Sequence, residues 1–181
     1  ARHDLSNTSS LWQNTAKTLA VASDNDLIRV VGDLWSTHDL VAPSDTVRPT
    51  WKSSVQNSLG VGRFTGSNPE AAADSELDLG TAFPPAGDYT AFFIVKNTDA
   101  TYGSHIMAGN AQYIFVTGSA YDATSPRAGA HVADNNAVTS SGQYLGADTY
   151  MILELSRSGT TYYFSLNGQN QGTLINTNGQ A

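Results

Sequence analysis

The chain has 181 residues, of which 40% are hydrophobic and 14% are charged, so it has apolar mass for a core and is neither a disordered acidic tail nor a fibrous repeat. Its net charge is −7 and its nine Lys and Arg are scattered, which argues against nucleic-acid binding and against an anionic membrane surface. Cysteine is absent, which excludes disulfide and thiolate chemistry.

Short apolar or alternating segments, bounded by turn residues, predict β-strands along most of the chain. These segments are 26–31, 60–66, 88–97, 104–109, 111–118, 149–158, 160–168 and 172–175. Ser158-Gly159 and Asn167-Gly168 predict tight turns between the last three. The stretch 92–95 (FFIV) is apolar on both faces and predicts a central strand that is covered on two sides.

Helical signals are sparse. The segment 9–20 is the one helix candidate, with one or two turns starting at Ser9 or Ser10. No long amphipathic helix provides the crossovers that a parallel α/β sheet needs. We therefore expect an all-β fold, an antiparallel two-sheet β-sandwich with at most one short N-terminal helix. It is expected to form one domain over 1–181, with 1–20 as the N-terminal lead-in.

A family resemblance covers most of the chain. Residues 11–14 (LWQN) open the pattern, an Asp-rich turn holding a His follows, and 48–51 (RPTW) and 64–66 (FTG) complete its first part. The later strand 88–97 and the hairpin 155–173 fit it as well. Together they resemble the concanavalin A-like, laminin-G-type sandwich of bacteriophage tail and capsid-associated proteins.

This resemblance implies a jelly-roll fold, a place on the virion surface and binding of cell-surface polysaccharide. It also implies partners, either other virion proteins or further copies in a symmetric homo-oligomer. Family members continue into a closing C-terminal strand that is absent before Ala181. Because an open sheet edge tends to pair with other chains, we expect this edge to be covered.

The stretch 75–80 (SELDLG) places two carboxylates two residues apart. On a strand, Glu76 and Asp78 share one face while the leucines between them face the core. Sandwich hydrolases with such a pair resemble Glu-x-Asp-x-Glu, but Gly80 and Thr81 occupy the last positions here. Retaining catalysis needs two carboxyl groups about 5 Å apart and tuned neighbours. We therefore interpret the pair as the solvent side of a strand and predict no catalytic residues.

Aromatic rings on loops commonly bind sugars, since a flat ring covers the apolar face of a pyranose. The candidate glycan-binding residues are Trp35, Tyr102, Tyr121, Arg127 and His131. Trp12 and Trp51 are instead expected to anchor the core.

A calcium site is the one metal site that the sequence suggests. Asp24 and Asp26 lie two apart in a predicted turn, and oxygen-rich turns suit calcium. Asp-Asn-Asp is equally an ordinary turn sequence. The four histidines lack metal-ligand spacing, and no other cofactor is expected.

Three functions remain open at this point. The first is a non-enzymatic virion protein, a head-fibre, decoration or tail-fibre domain with lectin-like binding of host-surface glycans. The second is a carbohydrate-binding module of a secreted bacterial protein, which would be extracellular. The third is a glycan hydrolase or lyase, which would need an acid/base set that the sequence lacks.

Overall fold

The computed structural model describes residues 1–66, 74–79, 87–96, 98, 104–109, 112–116, 128–132, 136–139 and 149–175. Every paired strand in these ranges is antiparallel and the two helical elements are single 3₁₀ turns, so the all-β prediction is confirmed. The chain divides into two compact units, 1–81 and 82–181. The expectation of a single domain over 1–181 stays a prediction.

The first unit consists of short strands around a small core. Its elements are a 3₁₀ turn at Thr8–Ser10, β1 (Leu11–Trp12), β2 (Val30–Val31), β3 (Leu40–Val41), a 3₁₀ turn at Asp45–Val47, β4 (Thr50–Gln56) and β5 (Leu59–Arg63). Strands β1, β2 and β3 form one sheet, and β4 and β5 form a hairpin. The core cluster is Leu11, Val21, Ile28, Val31 and Trp51.

The helix candidate at 9–20 is wrong. Leu11 and Trp12 are extended and pair with β2, and the chain after them is a loop in which Lys17 has a φ of 57°. The Asn14 side chain holds this loop, because its Oδ1 accepts hydrogen bonds from the backbone N–H of Thr18 at 3.0 Å and of Leu19 at 3.2 Å. Such side-chain bonds compete with helix formation.

The acidic pair at 76 and 78 lies on the solvent side, as predicted. Glu76 and Asp78 are exposed, whereas Leu77 and Leu79 are half-buried, and Leu77 packs against the core cluster. The backbone of Asp78 exchanges two 2.8 Å hydrogen bonds with Val41 at β3.

The second unit contains two four-stranded sheets. Its strands are β6 (Tyr89–Lys96), β7 (Ser104–Gly109), β8 (Gln112–Val116), β9 (Ala128–Val132), β10 (Asn136–Thr139), β11 (Tyr150–Ser158), β12 (Thr161–Leu166) and β13 (Gln169–Ile175). The sheet orders are β10-β9-β8-β7 and β13-β12-β11-β6. Both predicted tight turns are confirmed, with positive φ at Gly159, Asn167 and Gly168.

Alternation along β11 and β12 builds the core of this unit. The inward residues are Met151, Leu153, Leu155, Tyr162, Phe164 and Leu166, all at most 2% exposed. Ala128 and Ala130 of β9 belong to the same buried cluster, so a strand of the other sheet contributes to this core.

The prediction that FFIV (92–95) is covered on both sides is wrong. Phe93 and Val95 pack against the core, but Phe92 is 64% exposed and Ile94 is 74% exposed. Strand β6 stands at the end of its sheet, with β11 as its one neighbour among the described strands. Ile152 on the neighbouring strand β11 is also exposed on this face, so none of the described residues forms a layer that covers it.

We expect Gly60→Ala to destabilise the first unit. A Cβ at this position would lie 2.5 Å from Cζ2 of the buried Trp51 and 2.6 Å from its Nε1. The indole is held in place, because Nε1 donates a 3.1 Å hydrogen bond to the Leu5 carbonyl. Overpacking of this kind costs about 1–3 kcal/mol, which urea unfolding followed by tryptophan fluorescence measures.

Gly66→Ala is the matched control for this substitution. A Cβ at Gly66 would meet its nearest atom, Asp74 Oδ2, at 3.8 Å, an ordinary contact. Equal destabilisation by the two substitutions would contradict a steric clash at Trp51.

Candidate binding cleft

An open cleft of about 290 Å³ lies in the first unit. One wall comes from the N-terminal 3₁₀ turn and β1, and the other from the loop 33–39. Its lining residues are Ser9, Ser10, Trp12, Lys17, Gly32, Asp33, Leu34, Ser36, Thr37 and Asp39. Ligand pockets usually measure about 300–1,000 Å³, so this cleft suits one small ring rather than a long ligand.

The Asp33 carboxylate organises the loop 33–38. Its side chain has no exposed surface, and Oδ1 accepts hydrogen bonds from the backbone N–H groups of Arg2 at 2.9 Å and Trp35 at 3.0 Å. The Ser36 hydroxyl donates to Oδ2. Burial raises the pKa of Asp33, but the bond from Ser36 and those from the backbone outweigh it and hold the pKa well below its ordinary value.

The cleft is also lined by an aromatic ring and an ion pair. These groups come from Trp12, which lies against Gly32, and from Lys17 with Asp39. A Cβ on Gly32 would approach the Trp12 ring to 2.9 Å, so the glycine lets the indole lie against the backbone. Lys17 Nζ is 5.1 Å from the ring centroid and pairs with the Asp39 carboxylate. The expectation that Trp12 anchors the core is wrong, because Trp12 is outside the core cluster of this unit and its half-buried ring lines the cleft instead.

The loop also brings Ser36, His38 and Asp33 together, the side-chain types of a hydrolytic triad. Ser36 Oγ lies 2.8 Å from His38 Nδ1, and Asp33 Oδ2 lies 3.9 Å from the same nitrogen. A triad histidine uses its two nitrogens for different partners, one for the acid and one for the nucleophile. Here the serine hydroxyl donates to the aspartate, and both groups face the same histidine nitrogen, so the arrangement differs from that of a triad.

Trp35 is the predicted sugar-binding residue that the structure places beside the cleft. It lies between two lining residues of the loop, its side chain is 74% exposed, and the Arg2 guanidinium carbon is 5.9 Å from its ring centroid. Its loop-borne position, expected from the sequence, is confirmed.

The other glycan-binding candidates are not brought to this cleft by the described residues. Tyr102, Tyr121 and Arg127 lie outside the described ranges. His131 is in β9, in register with Tyr113 of β8 and Ala137 of β10. They stay predictions.

The calcium candidates serve as turn acceptors in the structure. Asp24 Oδ1 accepts from the backbone N–H of Ser53 at 2.8 Å, the leading reason why its pKa is lowered. Asp26 Oδ2 accepts from the backbone N–H of Ala22 and Ser23, both at 2.8 Å. In the described part of the chain, no three His, Asp or Glu side chains are grouped to hold a metal ion.

The charged side chains of the cleft lining are all engaged, one by hydrogen bonds and two by an ion pair. The Asp33 carboxylate accepts hydrogen bonds from neutral backbone and hydroxyl donors. The charges of Lys17 and Asp39 neutralise each other. What remains toward solvent is an aromatic ring and hydroxyl groups. This combination favours an uncharged ligand that is rich in hydroxyls. Lys17 carries no signal in the sequence, because it reaches the cleft only through the geometry of its loop.

No protein-family model, curated protein or solved structure matches this sequence. In the described ranges, no helix has the length and apolar character needed to cross a membrane.

Proposed function

We propose that this chain is a non-enzymatic virion component with lectin-like binding of host-surface glycans, and that the cleft of the first unit takes a neutral sugar ring. The observation that carries the binding part is the exposed indole of Trp35 next to a small cleft whose charged side chains are engaged by an ion pair and by loop hydrogen bonds. A sugar ring would stack on the indole and bond its hydroxyls to Ser36 and Thr37.

We further propose that the fold is a concanavalin A-like sandwich. Two four-stranded antiparallel sheets in the second unit support this, as does the buried cluster that joins Ala128 and Ala130 of β9 to residues of β11 and β12. The place on a virion rests on the sequence resemblance at 11–34, 48–51 and 62–66.

Affinity electrophoresis through gels that contain neutral polysaccharides tests the binding part. The chain is expected to be retarded without shortening the polymer, and Trp35→Ala to weaken the apparent affinity about tenfold, since stacking on one indole supplies roughly 1.4 kcal/mol. Phe64→Ala is the matched control, because Phe64 is an exposed aromatic residue of the same unit outside the cleft lining, and it should leave retardation unchanged.

Each other outcome has a defined meaning. Absence of retardation in every gel, or equal losses in the two variants, overturns glycan binding at this cleft. Shortening of the polymer overturns the non-enzymatic assignment and supports a hydrolase or lyase. Loss of retardation on calcium chelation would move the ligand site to the turn of Asp24 and Asp26.

A further inference from the structure

The outer face of the sheet β13-β12-β11-β6 carries an apolar patch beside β6, the last strand of this sheet among the described residues. Phe92 and Ile94 of β6 project outward from it, and Ile152 of β11, 46% exposed, is in direct register with Ile94. We call these three residues the β6 patch. Contiguous exposed apolar surface of this kind commonly marks an interaction site.

Strand β6 itself has the properties of a pairing edge. It is eight residues long, contains neither Pro nor Gly, and pairs with β11 from Tyr89 to Lys96 without a register shift. No described strand lies against its other side. Soluble proteins usually protect such an edge with a bulge, a proline or central charges, and β6 has none of these in its central part.

We propose that β6 pairs antiparallel with β6 of a second copy, joining the two sheets into one across a two-fold axis. This pairing would produce a symmetric homo-oligomer, and it rests on the geometry of β6 and not on the proposed glycan binding. In a two-fold pair of this type, cross-strand neighbours lie on the same face of the sheet. Only registers that place outward residues opposite outward residues are therefore allowed.

Charge complementarity selects one of these registers. With Phe92 opposite Phe92 of the second copy, Thr90 faces Ile94 and Asp88 faces Lys96. Asp88 Oδ1 already accepts a 2.7 Å hydrogen bond from the Gly159 backbone, and Lys96 Nζ lies 5.4 Å from the Tyr150 ring centroid. The oppositely charged pair would therefore use the second Asp88 carboxylate oxygen, once at each end of the paired segment. Shifting the centre to Phe93 places Lys96 opposite Thr90 and leaves Asp88 facing Thr98, so the charge pairs are lost. The Phe92-centred register also keeps the two β6 patches contiguous.

Charge reversal tests this register by sedimentation velocity on the full chain. Lys96→Asp places two aspartates opposite each other at both ends, and it is expected to raise the dimer dissociation constant about tenfold. Asp88→Lys has the same effect with lysines. The double variant Asp88→Lys/Lys96→Asp restores opposite charges and is expected to return the dissociation constant to within about threefold of the parent value.

A second variant probes the apolar centre. Phe92→Lys puts two lysines opposite each other and is expected to yield a monomer, while thermal unfolding by circular dichroism stays near the parent value because Phe92 is exposed. A monomeric parent chain, or an oligomer that is insensitive to these substitutions, overturns the proposal, as does a double variant as weak as the single ones. Retardation of the monomeric variants in polysaccharide gels reports on glycan binding separately.

Discussion

Phe164→Ala is expected to lower the free energy of unfolding by about 3–5 kcal/mol, the range for removing a buried phenyl ring. Phe164 is 1% exposed and belongs to the core cluster of the second unit together with Leu155, its cross-strand neighbour on β11. The substitution removes apolar contact from two strands and leaves a cavity between well-packed neighbours. Urea unfolding followed by far-ultraviolet circular dichroism measures the loss.

Tyr163→Ala is the matched control for this prediction. Tyr163 is the preceding residue on the same strand, with its side chain on the opposite, exposed face. Because Tyr163 is 39% exposed, its substitution removes less buried apolar surface than that of Phe164, and the loss should stay below about 2 kcal/mol. Similar losses at the two positions would mean that the inward and outward faces of β12 are assigned incorrectly.

Asp33→Asn is expected to destabilise the first unit by about 2–3 kcal/mol. The carboxylate accepts hydrogen bonds from Arg2, Trp35 and Ser36, and an amide in its place removes the charge and turns one acceptor into a donor. A hydrogen bond to a charged group contributes about 1.5–3 kcal/mol, so weakening this set is expected to carry a cost of this size. All three tryptophans, at 12, 35 and 51, lie in this unit, so tryptophan fluorescence in urea reports on it directly.

Asp45→Asn is the control for the loss of one negative charge in Asp33→Asn. The Asp45 carboxylate is 78% exposed and pairs with Arg29 at 3.2 Å, and surface pairs of this type contribute about 0–1 kcal/mol. If Asp45→Asn cost as much as Asp33→Asn, the Asp33 loop bonds would not be the cause.

Asp33 also makes the stability of the folded chain dependent on pH in the acid range. The pKa of Asp33 in the folded state lies below its ordinary value of 3.8, so its stabilisation is complete above that value and is lost as the pH falls through the folded-state pKa. Asp4, Asp24 and Asp39, in the same unit, have lowered pKa values as well and act in the same direction. The parent chain should therefore lose stability below about pH 4, and Asp33→Asn should show a shallower decline, measured by urea unfolding at several pH values.

Local sequence determined the strand-rich class and the hairpins of the second unit. Ser158-Gly159 and Asn167-Gly168 supply the positive φ that tight hairpin turns require, and the alternation along β11 and β12 specifies which residues face inward. The short pair β9 and β10 was missed, because Ala, Gly and Asn at 128–132 and 136–139 carry little strand preference.

Tertiary structure determined which apolar side chains are exposed and which charged side chains form pairs. The sequence FFIV predicts a strand that is covered on both faces, yet in the structure Phe92 and Ile94 of this strand are exposed. The segment 9–20 reads as a weak helix, but pairing of Leu11 and Trp12 with β2 makes it a strand and a loop. The cleft depends on this outcome, because only that loop brings Lys17 to Asp39 over the Trp12 ring. The alternation of side chains along a strand shows which residues share a face of that strand. It does not show which other element packs against that face, and this packing determines exposure and charge pairing.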